Sequence, residues 1–121
     1  MARAAKTAQI IVGDAADLTQ AGNPYVFRTN VSQTTAMPKL VKLVATSLKV
    51  RKIAIPWVNN DFGKGGRDTF IKPAKLRGLQ IVADVPTEQR QNNFASDVVK
   101  IVRSDAGAAL IYPNADEAPV T

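Results

Sequence analysis

Three aspartates that follow apolar runs are the residues of this chain best placed for chemistry: Asp14, Asp61 and Asp116. If those runs are parallel strands, the carboxylates come to the same edge of a sheet, where ligands bind in open α/β folds. Three carboxylates there could hold magnesium, as in receiver domains. That arrangement also needs a lysine at a later strand end, and the run 107–112 is not followed by one. Two hypotheses stay open: a receiver-like α/β domain, and a binding site for a polar ligand.

The chain has neither cysteine nor histidine among its 121 residues. Disulfides, thiolate nucleophiles, cysteine-ligated zinc and a Ser-His-Asp site within the chain are therefore excluded. Histidine is also the commonest general base and the commonest metal ligand. The composition favours a binding protein over an enzyme, and we expect no catalytic residue, no metal and no cofactor.

Basic residues concentrate between positions 39 and 77, which hold ten lysines and arginines and two acids. Such a block could bind nucleic acid or an anionic surface. Helical spacing accounts for most of these positions as solvated helix faces, so we expect no nucleic-acid partner. The glycine-rich stretch 63–66 lacks the spacing of a phosphate-binding loop, and we interpret it as a flexible entry to a helix that begins near residue 64.

Apolar runs alternate with amphipathic patterns along most of the chain. Three strands are predicted, near Ile53, Ile81 and Leu110. Three helices are predicted beside them, near 35–48, 64–77 and 92–103. This alternation indicates βαβ units and a three-layer, Rossmann-like α/β fold with a parallel sheet. Seven apolar side chains are predicted to be buried: Leu40, Val44, Ile53, Ile55, Ile81, Val98 and Leu110.

Two runs near the beginning of the chain, 9–12 and 25–29, also have the composition of strands. The first is predicted to be a buried strand that lacks a sheet of its own. It would either join the edge of the main sheet or exchange with a second copy to form a homodimer. We favour the dimer, because the linker 13–24 is long enough to reach a neighbouring molecule.

Six segments in order carry a specific resemblance: VGDAADLT, GNPYVFRTN, RKIAIPWVNNDFGKG, LRGLQIVADV, NFASDVVKI and GAALIYPNADE. They resemble the type I periplasmic solute-binding proteins, in the leucine/isoleucine/valine-binding branch that serves bacterial ABC transporters. The resemblance implies an incomplete type I periplasmic-binding-protein fold. Residues 1–24 would be a remnant of the first lobe with the crossover, and residues 25–121 the first half of the second lobe, a βαβαβ unit.

The resemblance also implies a function and partners. The chain would be a partial, periplasmic substrate-binding component for amino acids or related small polar solutes, without enzymatic activity. Its partners would be a small-molecule ligand and, in the full-length protein, an ABC permease. A ligand-sensing domain of a receptor or transcription regulator shares this fold, and the segments that flank the chain would discriminate between the two functions.

Ligand-binding residues follow from the resemblance position by position. Asp14 stands where branched-chain binders carry a threonine that holds the amino-acid backbone, and Phe62 matches an aromatic residue that faces the cleft. Ala115 and Asp116 fall where a tyrosine often contacts the ligand, and Asn114 belongs to the same ligand-contacting loop. A carboxylate at Asp14 favours a ligand that presents an ammonium or a hydroxyl, and the loss of the tyrosine enlarges the pocket. Asp14 is alternatively a loop cap that is hydrogen-bonded to backbone.

Overall fold

A computed structural model describes residues 2–15 and 17–113 of the chain. The helices are α1 (Ala2–Ala5), α2 (Asp17–Gln20), α3 (Gln33–Leu43), α4 (Asp61–Leu76) and α5 (Ala95–Arg103). The strands are β1 (Gln9–Ile11), β2 (Val26–Arg28), β3 (Lys52–Val58), β4 (Gln80–Thr87) and β5 (Ala108–Ala109). A π-helical turn, Val44–Leu48, extends α3. Within the described residues, no helix is long and apolar enough to cross a membrane.

The main sheet consists of three parallel strands in the order β4-β3-β5. The central strand β3 pairs with β4 along its whole length, with a register shift between Ile53 and Ala54. A further bridge joins Trp57 to Tyr112 beyond the end of β5. The three predicted strands therefore lie in one sheet, and the predicted parallel α/β architecture is confirmed.

Helices α3 and α4 cover one face of this sheet and form the core with it. Met37 and Val41 of α3 pack with Phe70 of α4 and with Ile53 and Ile55 of β3, and all five side chains are buried. Alternate residues of β3 point to opposite faces of the sheet, so Pro56 faces the other side. Burial of each large apolar side chain contributes about 1.5–3 kcal/mol to folding.

Helix α5 lies on the opposite face, where it borders a small apolar groove of about 140 Å³. Its buried carboxylate, Asp97, accepts hydrogen bonds from Gln91 Nε2 (2.6 Å) and Lys100 Nζ (3.0 Å). The bond from Gln91, followed by that from Lys100, holds the pKa of Asp97 below its ordinary value. The prediction that Val98 is buried is wrong, because this helix covers the groove only in part and leaves Val98 51% exposed.

The other burial predictions have two outcomes. Val44, Ile53 and Ile55 are buried, as predicted. Leu40, Ile81 and Leu110 are only half-buried, although all three pack against the core. The pattern of apolar residues indicates which side of each helix or strand faces the core. The depth of burial also depends on how many layers cover that side.

Helix α4 begins earlier than the sequence predicts. Asn60 caps it, with Oδ1 accepting a hydrogen bond from the Gly63 amide at 2.8 Å, so the glycines lie inside the helix. A Cβ at Gly63 would lie 1.9 Å from the carbonyl oxygen of Val58, and one at Gly66 would lie 2.1 Å from the ring of Tyr112. The interpretation of 63–66 as a flexible entry is therefore wrong: these glycines allow α4 to pack closely against its neighbours.

The predicted strands near the beginning of the chain form a sheet of their own. β1 and β2 are parallel and pair Gln9 with Val26 and Ile10 with Phe27. The expectation that this run is buried and lacks a sheet is wrong: Ile10 is 72% exposed and Phe27 is 54% exposed. The run does not add to the edge of the main sheet within the described residues. Exchange with a second copy stays a prediction.

Candidate functional site

An open cleft of about 590 Å³ lies between the segment that follows β1 and the first turns of α4. One face of α4 supplies its wall, because the lining positions of that helix recur at helical spacing. The cleft is lined by Ala15, Asp17, Leu18, Gln33, Asp61, Lys64, Gly65, Asp68 and Thr69. The strands β1 and β3 both point their carboxyl ends toward this region, which is the edge where the sequence predicts a ligand.

The loop after β1 is held by an arginine. The guanidinium of Arg28 donates hydrogen bonds to the carbonyl oxygens of Gly13 and Ala15, the latter at 2.6 Å, and to Thr19 Oγ1 at 3.1 Å. Three acceptors on one planar group fix the course of this segment, which borders the cleft. Sequence analysis missed this role, because nothing in the sequence around Arg28 indicates which distant carbonyl oxygens its guanidinium binds.

Asp14 is exposed and stands at the junction of this loop with α3. Its carboxylate accepts a hydrogen bond from the side-chain amide of Asn30, while its backbone oxygen accepts one from the Gln33 amide at 3.0 Å. Asn30 Oδ1 in turn accepts from the Gly13 amide at 3.1 Å. The described contact of the carboxylate is therefore to a side chain, whereas the loop-cap hypothesis expects a hydrogen bond to backbone.

Gln33 connects the two predicted site residues that the structure describes. Besides its backbone contact with Asp14, its side-chain Nε2 donates to the backbone oxygen of Phe62 at 3.0 Å and to the hydroxyl of Tyr112 at 2.9 Å. The rings of Phe62 and Tyr112 are stacked, with centroids 4.8 Å apart. Asp14 and Phe62 are thus joined through Gln33, which lines the cleft, whereas neither of them is a lining residue. Gln33 and Tyr112 are functional candidates that the sequence analysis did not single out.

The electrostatics around Tyr112 reflect this packing. Burial raises the pKa of its phenol, the hydrogen bond from Gln33 opposes that rise, and the negative charge of Asp14 adds to it. The phenol therefore stays protonated at neutral pH. Because the Tyr112 oxygen accepts the Gln33 bond, its own proton is left to donate elsewhere.

The remaining predicted site residues, Asn114, Ala115 and Asp116, lie outside the described residues. The three-aspartate hypothesis consequently rests on Asp14 and Asp61 alone. Within 2–15 and 17–113, no group of three acidic residues, histidines or cysteines is close enough to hold a metal ion.

A second polar cluster lies at the far side of α4 and is structural in character. Asp84 of β4 accepts hydrogen bonds from Arg67 Nε at 2.9 Å and from Trp57 Nε1 at 2.7 Å. The guanidinium also lies 5.5 Å from the centroid of the Trp57 ring. The bonds from Arg67, and then from Trp57, lower the pKa of Asp84. This cluster joins α4 to two strands and contributes no residue to the cleft.

Comparisons with known proteins agree on the type of fold. A family model described as periplasmic binding protein matches residues 1–120. No curated protein matches the chain. The family and its structural neighbours below are solute-binding proteins, not enzymes.

Solved structures superpose well at low sequence identity. A solute-binding protein of an ABC transporter from Rhodopseudomonas palustris, in complex with p-hydroxybenzoic acid, has a TM-score of 0.83 at 19% identity and covers 93% of this chain. A leucine-binding protein from Thermotoga maritima has a TM-score of 0.83 at 15% identity over 91% of this chain. A branched-chain amino-acid ABC transporter protein from Thermus thermophilus, with bound valine, has a TM-score of 0.79 at 18% identity over 91%. The matched region is 30%, 31% and 29% of those chains, respectively.

Proposed function

Because the chain belongs to the periplasmic binding protein family, we propose that it is part of the substrate-binding component of an ABC transporter for amino acids or related small polar solutes. The observation that carries this proposal is the cleft between the loop after β1 and the first turns of α4. Charged and polar groups, among them Asp17, Asp61, Lys64 and Gln33, converge there at the carboxyl ends of strands from two separate sheets. Neighbours of the same fold hold valine or p-hydroxybenzoic acid.

The proposed mechanism uses two lobes. Residues 1–24 would come from the first lobe and its crossover, and residues 25–121 from the first half of the second. A ligand would bridge Asp14 on one side and Phe62 with the 114–116 segment on the other. Its higher affinity for the closed arrangement would shift a hinge equilibrium toward closure. The contacts of Gln33 with both Asp14 and Phe62 support this assignment, because both residues bond to the same glutamine.

Location and partners follow from the same proposal. The complete protein would work in the periplasm, and its closed form would dock on an ABC permease. A sensing domain of a receptor or regulator would bind its ligand in the same cleft. The transporter function is favoured because the neighbours described above are transporter components.

Saturation-transfer NMR on the purified chain tests the proposal, with valine and 4-hydroxybenzoate as probes and glucose as a negative control. Binding is expected to be weak, because the chain spans about 30% of its neighbours' length. The variant Lys64→Trp places a large ring at the cleft and should abolish the transfer. Lys75→Trp changes an exposed lysine of the same helix away from the cleft and should leave it intact. Equal transfer in both variants, or none in the wild type with either probe, would contradict the proposal.

A further inference from the structure

One buried polar atom at the cleft has no hydrogen-bond partner. Gln33 is 2% exposed, and its Nε2 group donates two hydrogen bonds, one to the carbonyl oxygen of Phe62 and one to the hydroxyl of Tyr112. Its other polar atom, Oε1, is buried and without a hydrogen bond in the described part of the chain. A buried acceptor that gains no hydrogen bond costs free energy, so such atoms are rare in folded proteins and call for an explanation.

The position of this oxygen relates it to the cleft. A Cβ at Gly65 would lie 2.8 Å from Gln33 Oε1, so the oxygen occupies the space that a side chain would fill at that position. Gly65 and Gln33 both line the cleft. The oxygen therefore lies against the face of α4 that forms the wall of the cleft.

The alternative orientation of the amide does not explain the missing partner. Exchange of the nitrogen and oxygen of Gln33 would bring its oxygen against the carbonyl oxygen of Phe62, where two acceptors would face each other. The observed orientation is fixed by that carbonyl, because it can only accept a hydrogen bond. The acceptor must consequently point toward Gly65, whatever else is bound there.

Charges around the cleft favour the same kind of ligand group. Asp17, Asp61 and Asp68 line it with a single lysine, Lys64. Asp68 forms a salt bridge with Arg67, with 2.5 Å between nitrogen and oxygen. The positive end of the α4 dipole offsets part of the remaining negative charge. Carboxylates near a buried acceptor attract a group that is positively charged or carries an O–H or N–H donor.

We propose that Gln33 Oε1 is the specificity-determining acceptor of the cleft, which recognises solutes through an ammonium or hydroxyl donor. The inference rests on the proposed function and deepens it, because it names the ligand group that the site selects. Solutes of the same shape that lack the donor leave the oxygen unpaired and should bind more weakly. The expected difference is about tenfold, the effect of one hydrogen bond to a buried acceptor.

Two pairs of probes differ only in this group: valine with 3-methylbutanoate, and 4-hydroxybenzoate with benzoate. Their dissociation constants for the wild-type chain are measured by NMR titration. The ratio within the pair that binds should be about ten in favour of the donor. Gln33→Met removes the acceptor, and Gly65→Ala displaces it while keeping the amide, so the ratio should fall to about one in both variants. Two variants are used because Gln33→Met also removes the bonds to Phe62 and Tyr112.

The outcomes separate this inference from the proposed function. If none of the four compounds binds the wild type, the proposed function is contradicted and the inference fails with it. If compounds bind but the wild-type ratio is close to one, the inference alone is overturned. It is also overturned if the ratio stays near ten in a folded Gly65→Ala or Gln33→Met variant.

Discussion

The change Gly66→Ala tests the packing that holds Tyr112 and Phe62 against each other and beside Gln33. The new Cβ would lie 2.1, 2.5 and 2.7 Å from three carbons of the Tyr112 ring, so the ring must move. It is stacked on Phe62 and hydrogen-bonded to Gln33, and neither contact survives a large displacement. Close packing against Tyr112, rather than a need for flexibility, explains the glycine here, because the residue lies inside α4.

The expected cost follows from three contributions. Overpacking costs about 1–3 kcal/mol, and loss of the hydrogen bond between Gln33 and Tyr112 costs about 1 kcal/mol. Replacement of glycine by alanine inside a helix returns about 1 kcal/mol. The net loss in the free energy of unfolding is therefore about 1–3 kcal/mol, measured by urea denaturation with circular dichroism.

A double-mutant cycle separates the clash from the change in helix propensity. In a Tyr112→Ala background the ring is absent, so Gly66→Ala should stabilise the protein by about 1 kcal/mol. The sign of the effect thus reverses between the two backgrounds. An equal effect of Gly66→Ala in both would refute the reasoning, because the Tyr112 ring would then play no part in the choice of glycine.

Further predictions concern stability and association. Ile55→Ala should cost about 2–5 kcal/mol in urea denaturation, because Ile55 is fully buried, whereas Ile10→Ala should change the value by less than about 0.5 kcal/mol; similar costs would contradict the assignment of the core. The lowered pKa of Asp97 contributes stability that is complete above the ordinary value of 3.8 and is lost as the pH falls through the lower folded value. Asp97→Asn should therefore flatten the dependence of the unfolding free energy on pH below about 5. An unchanged slope would contradict this prediction. Asp84→Ala removes the acceptor of the Trp57 indole and should shift the emission of this single tryptophan, and an unaltered spectrum would exclude that bond. Strand exchange through Ile10 and its neighbours predicts a dimer by light scattering at high micromolar concentration, and a monomer there would remove the prediction.

Much of the fold could be predicted because its strands are nearly continuous apolar runs. Ile53 and Ile55 are alternate residues of β3 and point to the face that two helices cover. Such a pattern can be recognised within a short stretch of sequence. The beginning of α4 could not be predicted in this way. Its glycines look like a loop in the sequence, and they are explained only by what lies against them in the fold, such as the ring of Tyr112, 46 positions later than Gly66.

The candidate site shows the same division. Asp14 and Phe62 were predicted from the ends of apolar runs and from the resemblance to a family, and the structure brings both to Gln33. The importance of Gln33 itself could not be predicted. A glutamine after a helix-capping serine is ordinarily exposed, and its burial results from contacts with residues 29 and 79 positions away.

The central claim is that solute binds in the cleft between the loop after β1 and α4. The most direct test is a ¹⁵N-correlation NMR titration of the labelled chain with valine and with 4-hydroxybenzoate. The account predicts that the largest shifts occur in the side-chain amide of Gln33 and the backbone amide of Gly65. Shifts confined to the apolar groove beside α5, at Val98 and Ile101, with none at Gln33 or Gly65, would contradict it.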